Sequence, residues 1–107
     1  VTKTYVLSDP VSGQIRYVGR TSVNVEKRLK DHMSTAIDSD LNYMPGWLFD
    51  LKRRGKAPVA IVIADFDNEL AAFRCLKSAG AKLFNQHTPP PPGIGPGMEM
   101  RDRERAA

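Results

Sequence analysis

The segment KTYVLSDPVSGQIRYVG, residues 3–19, constrains the fold more than any other stretch of the chain. Two β-prone runs, TYVL and QIRYV, flank SDPVSG, whose Asp-Pro and Ser-Gly pairs are turn signals. The pattern predicts an antiparallel hairpin. With Leu7 opposite Ile15, as the loop length suggests, the sum of paired residue numbers is constant and Tyr5 falls opposite Tyr17. Side chains alternate with period two, so both phenols share one sheet face with Leu7 and Ile15.

The alternation breaks at Gly19 and a helical pattern follows. Asn24 is the expected N-cap of VEKRLKDHMSTA. Val25, Leu29, Met33 and Ala36 form an apolar stripe at i, i+4, i+8 and i+11. At about 100° per residue His32 lies about 20° from Val25, and Arg28 lies about 60° away on the same side. A second helix is expected from Pro45 to Arg54, with Pro45 at N1, Gly55 at C′, and Trp47, Leu48 and Leu51 on its buried side.

APVAIVIADF reads as a third strand, apolar on both faces: Val59, Ile61 and Ile63 alternate with Ala60, Val62 and Ala64. Such a strand is expected to be buried between helices. Asp67 is then expected to cap a third helix, NELAAFRCLKSAG, with Gly80 near its C-terminus. AKLFN returns the chain to an extended segment, and no internal repeat is present. After Asn85 the composition turns to proline and glycine and then to charge. Residues 1–88 are therefore expected to form the folded domain, and residues 89–107 a flexible, polyproline-like or disordered tail.

The chain has 107 residues, enough for one domain with one modest core. A formal charge of +4 and a pI of about 9.5 favour anionic partners, nucleic acid first. The single cysteine, Cys75, excludes an internal disulfide and is expected to be a reduced core thiol. No apolar run reaches membrane-spanning length and no signal-peptide pattern opens the chain, so a cytoplasmic protein is the expectation.

Glu69 is the residue out of place. On the third helix it shares a face with Phe73 at i+4 and Leu76 at i+7. A carboxylate facing a core is costly unless it is paired, protonated or bound to a metal. A helix-dipole role in the first turn would also account for it. Arg28 could snorkel from its stripe, His32 could be a core histidine, and the tyrosines could be sheet aromatics. Taken together, two phenols on one sheet face, an arginine and an imidazole on the next helix, and an inward glutamate would make a metal-assisted phosphodiester-cleaving site.

The ordered series KTYVL, IRYVGRT, EKRLKDH, NELAAF and LFN resembles the GIY-YIG nuclease domain over residues 1–85. The second half-motif stands as Tyr17, Val18 and Gly19. The first keeps Tyr5, with Lys3 and Thr4 where the family has Gly and Ile. Arg20 stands where some members carry a lysine. The family's helix arginine falls on Arg28, the histidine of homing and restriction members on His32, its metal glutamate on Glu69, and its later asparagine on Asn85. WLFDLKRRGKAP is similar to the family's second helix and the loop before its third strand. The glycine-rich turn common after the asparagine is absent.

The resemblance implies an α/β (α+β) fold, a small three-stranded antiparallel sheet flanked by about three helices. It implies hydrolysis of a DNA phosphodiester with one Mg²⁺ or Mn²⁺ ion, leaving 3′-hydroxyl and 5′-phosphate ends. Glu69 would hold the metal, which stabilises the leaving oxygen. Arg28 would pair with the scissile phosphate. Tyr5 is the expected base, with Tyr17 as its partner or a phosphate contact. A phenol needs help to act as a base at neutral pH. His32 would accept the proton and Arg20 would lower the phenol's pKa. Gly19 would let the backbone pass under the phosphate, and Gly19, Arg20 and Asn85 would contact substrate. Target choice would come from a separate DNA-binding domain or a homodimer. Two other readings use the same residues: a catalytically inactive nucleic-acid-binding module of the same fold, and a small adaptor domain presenting its proline-rich tail.

Overall fold

The computed structural model describes residues 2–91. They form a three-stranded antiparallel sheet and three helices, in the chain order β1 (Lys3–Ser8), β2 (Ile15–Thr21), α1 (Val25–Met33), α2 (Met44–Arg53), β3 (Val59–Ala64) and α3 (Glu69–Ser78). The sheet order is β2-β1-β3, and β1 pairs antiparallel with both neighbours. This is the expected α+β architecture. Among the described residues no helix is long and apolar enough to cross a membrane.

The hairpin forms, with its register two residues from the one expected. Leu7 faces Tyr17, Tyr5 faces Gly19, and Ser8 faces Ile15, with an irregularity between Leu7 and Ser8. A shift of two preserves facing, so Tyr5, Leu7 and Tyr17 remain on one side of the sheet. The irregularity sends Ile15 to the other side, where it packs with Val6 and Val18. The turn is drawn tight by Asp9, whose carboxylate accepts the backbone N–H groups of Val11 at 2.8 Å and Ser12 at 3.0 Å. Its other oxygen accepts the Trp47 indole N–H at 2.9 Å, which ties the turn to α2.

Two cores sandwich the sheet. On one side Tyr5 and Leu7 meet Trp47, Leu48, Leu51 and Phe84, with Val25, Leu29, Met33 and Ala36 packed against them. The stripe of the first helical pattern therefore docks as expected, although α1 ends at Met33 and Ala36 lies beyond it. Asn24 caps α1, accepting from the N–H groups of Glu26 and Lys27, an arrangement worth about 1 kcal/mol. In α2, Trp47, Leu48 and Leu51 are buried as expected; the helix starts one residue early, with Tyr43 as N-cap, and Gly55 follows its end at φ 71°.

The other side is thinner. Val6, Val18 and Ala72 form its core, joined by Ile15, Leu76 and Leu83. α3 packs over β2, and β3 is left at the edge. Val59, Ile61, Val62 and Ile63 are 41–47% exposed, so β3 is an exposed edge strand and not the doubly buried strand its composition suggested. The centre belongs to β1, where every residue from Thr4 to Ser8 is buried.

Two smaller expectations are also corrected. The α3 N-cap is Asn68, and Asp67 reaches only the Glu69 N–H, at 3.4 Å. Cys75 is exposed rather than a core thiol. AKLFN adds no strand, but it runs beside β2, where the Phe84 N–H donates to the Arg16 carbonyl at 2.6 Å. Phe84 sits between the Trp47 ring, 5.1 Å away, and the Arg16 guanidinium, 4.2 Å from its centroid. That anchor returns the following residues to the domain: Pro89 is buried and Pro90 half-buried, so the packed chain continues past residue 88. The remainder of the expected tail, 92–107, lies outside the described residues.

Candidate functional site

A cleft of about 1180 Å³ opens beside β2, and Tyr17, Arg20, Arg28, His32, Glu69 and Asn85 all line it. Three elements bring these residues together. β2 supplies Tyr17 and Arg20. α1 supplies Arg28 and His32, one turn apart on the helix face that docks against the sheet. The first residue of α3 is Glu69.

Tyr5 is not on the cleft wall. It is 1% exposed and stands behind the wall, its Oη 2.6 Å from His32 Nε2. The three rings form a cluster, with centroids 6.2 Å apart for Tyr5 and Tyr17, 6.0 Å for Tyr5 and His32, and 5.1 Å for Tyr17 and His32. The phenol that lines the cleft is thus Tyr17, with Tyr5 behind it against His32.

Burial sets the protonation states. It pushes the Tyr5 phenol well above its ordinary value, with Tyr17 adding to the rise and Arg28 opposing it. Tyr17 is raised by burial and by the Glu69 charge, again against Arg28. His32 is lowered to about 4 by burial and then by the Arg28 charge. At neutral pH a protonated phenol therefore faces a neutral imidazole, and the cation acting on both phenols is Arg28. The expected role of Arg20 in lowering a phenol is not what the geometry provides: Arg20 lies against Asp67 at 2.6 Å and Glu69 at 3.7 Å.

Glu69 is 8% exposed, and burial raises its carboxyl against the lowering effect of Arg20. Thr4 holds it in position. Fully buried, Thr4 donates to the Phe66 carbonyl at 2.8 Å and accepts the Asn68 N–H at 2.7 Å, fixing the turn from which Glu69 emerges. Thr4 is one of the two residues that depart from the first half-motif, and nothing in its local pattern announces this contact.

Among the described residues no three His, Cys, Asp or Glu side chains gather as a metal cage. One hard carboxylate in a cleft wall is nevertheless a donor set that suits Mg²⁺, which keeps several waters and takes further oxygens from a substrate phosphate. Glu69 fits such an ion, whose charge would offset the cost of its buried carboxylate.

Asn85 has a structural engagement at both ends of its amide. Its Oδ1 accepts the Val18 N–H at 3.0 Å, and its Nδ2 donates to the Val18 carbonyl at 2.7 Å. It thereby completes the outer edge of β2 as a strand neighbour would. Gly19 likewise serves the phenols: a Cβ there would stand 2.6 Å from Tyr5 Oη and 2.8 Å from Tyr17 Cε2. The remaining wall was not foreseen. Gln86, His87, Thr88, Pro89 and Pro90 line the cleft together with Met44 and Pro45 of α2. Their proline-rich composition reads as tail, and only the Phe84 anchor turns it into a wall.

No family model, no curated protein and no solved structure matches the chain.

Proposed function

We propose that this chain is a metal-dependent endonuclease that hydrolyses DNA phosphodiester bonds, as its resemblance to GIY-YIG nucleases implies. The observation that carries the reading is the 2.6 Å pairing of Tyr5 with a neutral His32 behind a cleft lined by Tyr17, Arg28 and Glu69. A proton acceptor, a fork-shaped cation and a lone carboxylate converge where a phosphate would lie.

Each residue then has a task. Arg28 binds the scissile phosphate and stabilises the charge that grows on its oxygens. Tyr17 meets the attacking water. The proton released as the water oxygen bonds to phosphorus passes inward through the phenols to the neutral His32, which accepts it only in passing and releases it to solvent. The bond from phosphorus to the 3′ oxygen breaks, leaving 3′-hydroxyl and 5′-phosphate ends. Glu69 would hold a Mg²⁺ or Mn²⁺ ion, which would supply charge stabilisation at the leaving oxygen. Arg20 orients Glu69 through their ion pair. The basic surface favours a phosphate backbone, so DNA is the proposed partner.

Supercoiled plasmid incubated with the protein and Mg²⁺, Mn²⁺ or EDTA tests the reading. Nicked or linear product with either metal and none with EDTA is the expected result. Binding without cleavage in any metal would make the chain an inactive DNA-binding module.

A further inference from the structure

We propose that Asp67 is a positioning residue of the cleft: it holds the Arg20 guanidinium off Glu69 and so leaves the Glu69 carboxylate open to a metal ion. The proposal rests on the metal reading of Glu69 given above, and its test separates the two.

Arg20 of β2 lies against two carboxylates, Asp67 in the turn before α3 and Glu69 at the first position of that helix. The two contacts are unequal. Arg20 Nη1 is 2.6 Å from Asp67 Oδ2, a charge-assisted hydrogen bond. Its Nε is 3.7 Å from Glu69 Oε1, an ion pair beyond hydrogen-bonding distance. Arg20 and Glu69 line the cleft, so the looser of the two contacts is the one a ligand there would meet.

Arg20 must pair with something. A guanidinium keeps its charge across the working pH range. This side chain is only 14% exposed, and a charge so little exposed is costly unless it is paired. With Asp67 neutralised, the carboxylate left beside it is Glu69. The fork would close on both Glu69 oxygens, the geometry a guanidinium favours, and a hard cation would find them taken. In the native chain Asp67 meets that need instead. Two carboxylates and one guanidinium leave one net negative charge, and the contact distances put it on Glu69.

Asp67 is itself held in place. The Thr4 hydroxyl donates to the Phe66 carbonyl and accepts the Asn68 N–H, so both neighbours of Asp67 are fixed. Asp67 Oδ1 faces the Glu69 N–H at 3.4 Å, while Oδ2 faces Arg20. Asn68 is the N-cap of α3, which leaves the Asp67 carboxylate to the guanidinium.

Mn²⁺ binding to the full chain without DNA, followed by the electron paramagnetic resonance of the free ion, and a crystal structure of Asp67→Asn test the proposal. Asparagine keeps the size and the acceptor of aspartate and removes its charge. Asp67→Asn should bind Mn²⁺ about tenfold or more weakly, and its crystal structure should show the Arg20 fork closed on Glu69. Adding Arg20→Gln to Asp67→Asn should restore wild-type binding. Wild-type affinity in Asp67→Asn would overturn the proposal. So would weak binding in the double variant, which would make Asp67 a metal ligand in its own right. A crystal structure with Arg20 clear of Glu69 would also overturn it, because loss of a nearby negative charge would then account for the weaker binding. If the wild type binds no Mn²⁺, or Glu69→Ala binds it as tightly, the metal reading fails. The position of Arg20 in the Asp67→Asn crystal structure then decides by itself whether Asp67 holds it off Glu69.

Discussion

Tyr5 and Gly19 face each other across the β1–β2 ladder, and the absence of a side chain at Gly19 is what admits the Tyr5 phenol. A methyl group there would stand 2.6 Å from Tyr5 Oη and 2.8 Å from Tyr17 Cε2, closer than side-chain carbons come in packed proteins. The Tyr5 ring has no easy retreat, because Tyr5 is 1% exposed. Gly19→Ala should therefore cost roughly 1–3 kcal/mol of stability, the usual penalty of overpacking. It should also break the Tyr5–His32 pairing and lower cleavage strongly. Thermal unfolding and single-turnover cleavage measure both; wild-type values in the alanine variant would show that the rings can shift freely.

His32 makes the fold acid-sensitive in a definite window. Its value falls from an ordinary 6.5 to about 4 through burial and the Arg28 charge. Between those limits the unfolded chain takes up a proton that the folded chain refuses, so stability falls as pH drops from 6.5 towards 4. Above 6.5 both states are neutral at this residue and no contribution remains. The melting temperature of His32→Gln should fall less over that window than that of the wild type. Equal slopes would remove His32 as the cause.

In the proposed mechanism the same residue is the proton acceptor, so His32→Ala should lower the cleavage rate and move the pH optimum upward, with DNA affinity little changed. Cleavage measured from pH 6 to 9 in single-turnover conditions checks this. An unchanged profile in a folded variant would leave His32 as a packing residue alone.

Glu69→Ala should abolish cleavage while keeping the fold. The wild-type carboxyl is raised by burial, which means that its charged form is disfavoured in the folded chain. Its contribution to stability is present below the ordinary carboxyl range and is lost as pH rises through the raised value. The alanine variant should thus melt no lower than wild type at neutral pH. Retained cleavage would remove Glu69 from the site.

Arg28→Lys keeps the charge but loses the planar fork, and cleavage should drop by roughly a hundredfold or more. DNA binding should survive, fall steeply with added salt and vary little with sequence, because phosphate contacts dominate it. Filter binding at several salt concentrations gives the slope. Wild-type cleavage by the lysine variant would mean that charge alone suffices.

Asn85→Ala separates structure from substrate contact. Its amide satisfies both polar groups of Val18, so the variant should lose about 1–3 kcal/mol of stability. A large loss of DNA affinity with unchanged melting would reverse that assignment.

Local pattern determined the elements of this protein. The hairpin is legible from its turn residues, α1 from Asn24 and a stripe of period 3.6, and α2 from Pro45, Gly55 and its apolar side. Their signals lie within a few residues of one another, where backbone sterics and capping act. The nomination of Tyr17, Arg28, His32 and Glu69 was legible too, because a polar group on an apolar face is visible as a break in periodicity. Tertiary structure decided the rest. β3 is more apolar than β1, yet β1 takes the centre of the sheet: strand order depends on which strands pair, and composition does not encode it. Tyr5 withdraws behind the cleft while Tyr17 faces it, although both occupy the same sheet face, because α1 docks over one phenol and the cleft opens at the other. Arg20 turns to Asp67 and Glu69, forty-seven and forty-nine residues away in the chain. A proline-rich segment becomes a wall because Phe84 is held between Trp47 and Arg16. Each of these outcomes rests on contacts between residues far apart in sequence, whose energies are settled only when the whole chain has packed.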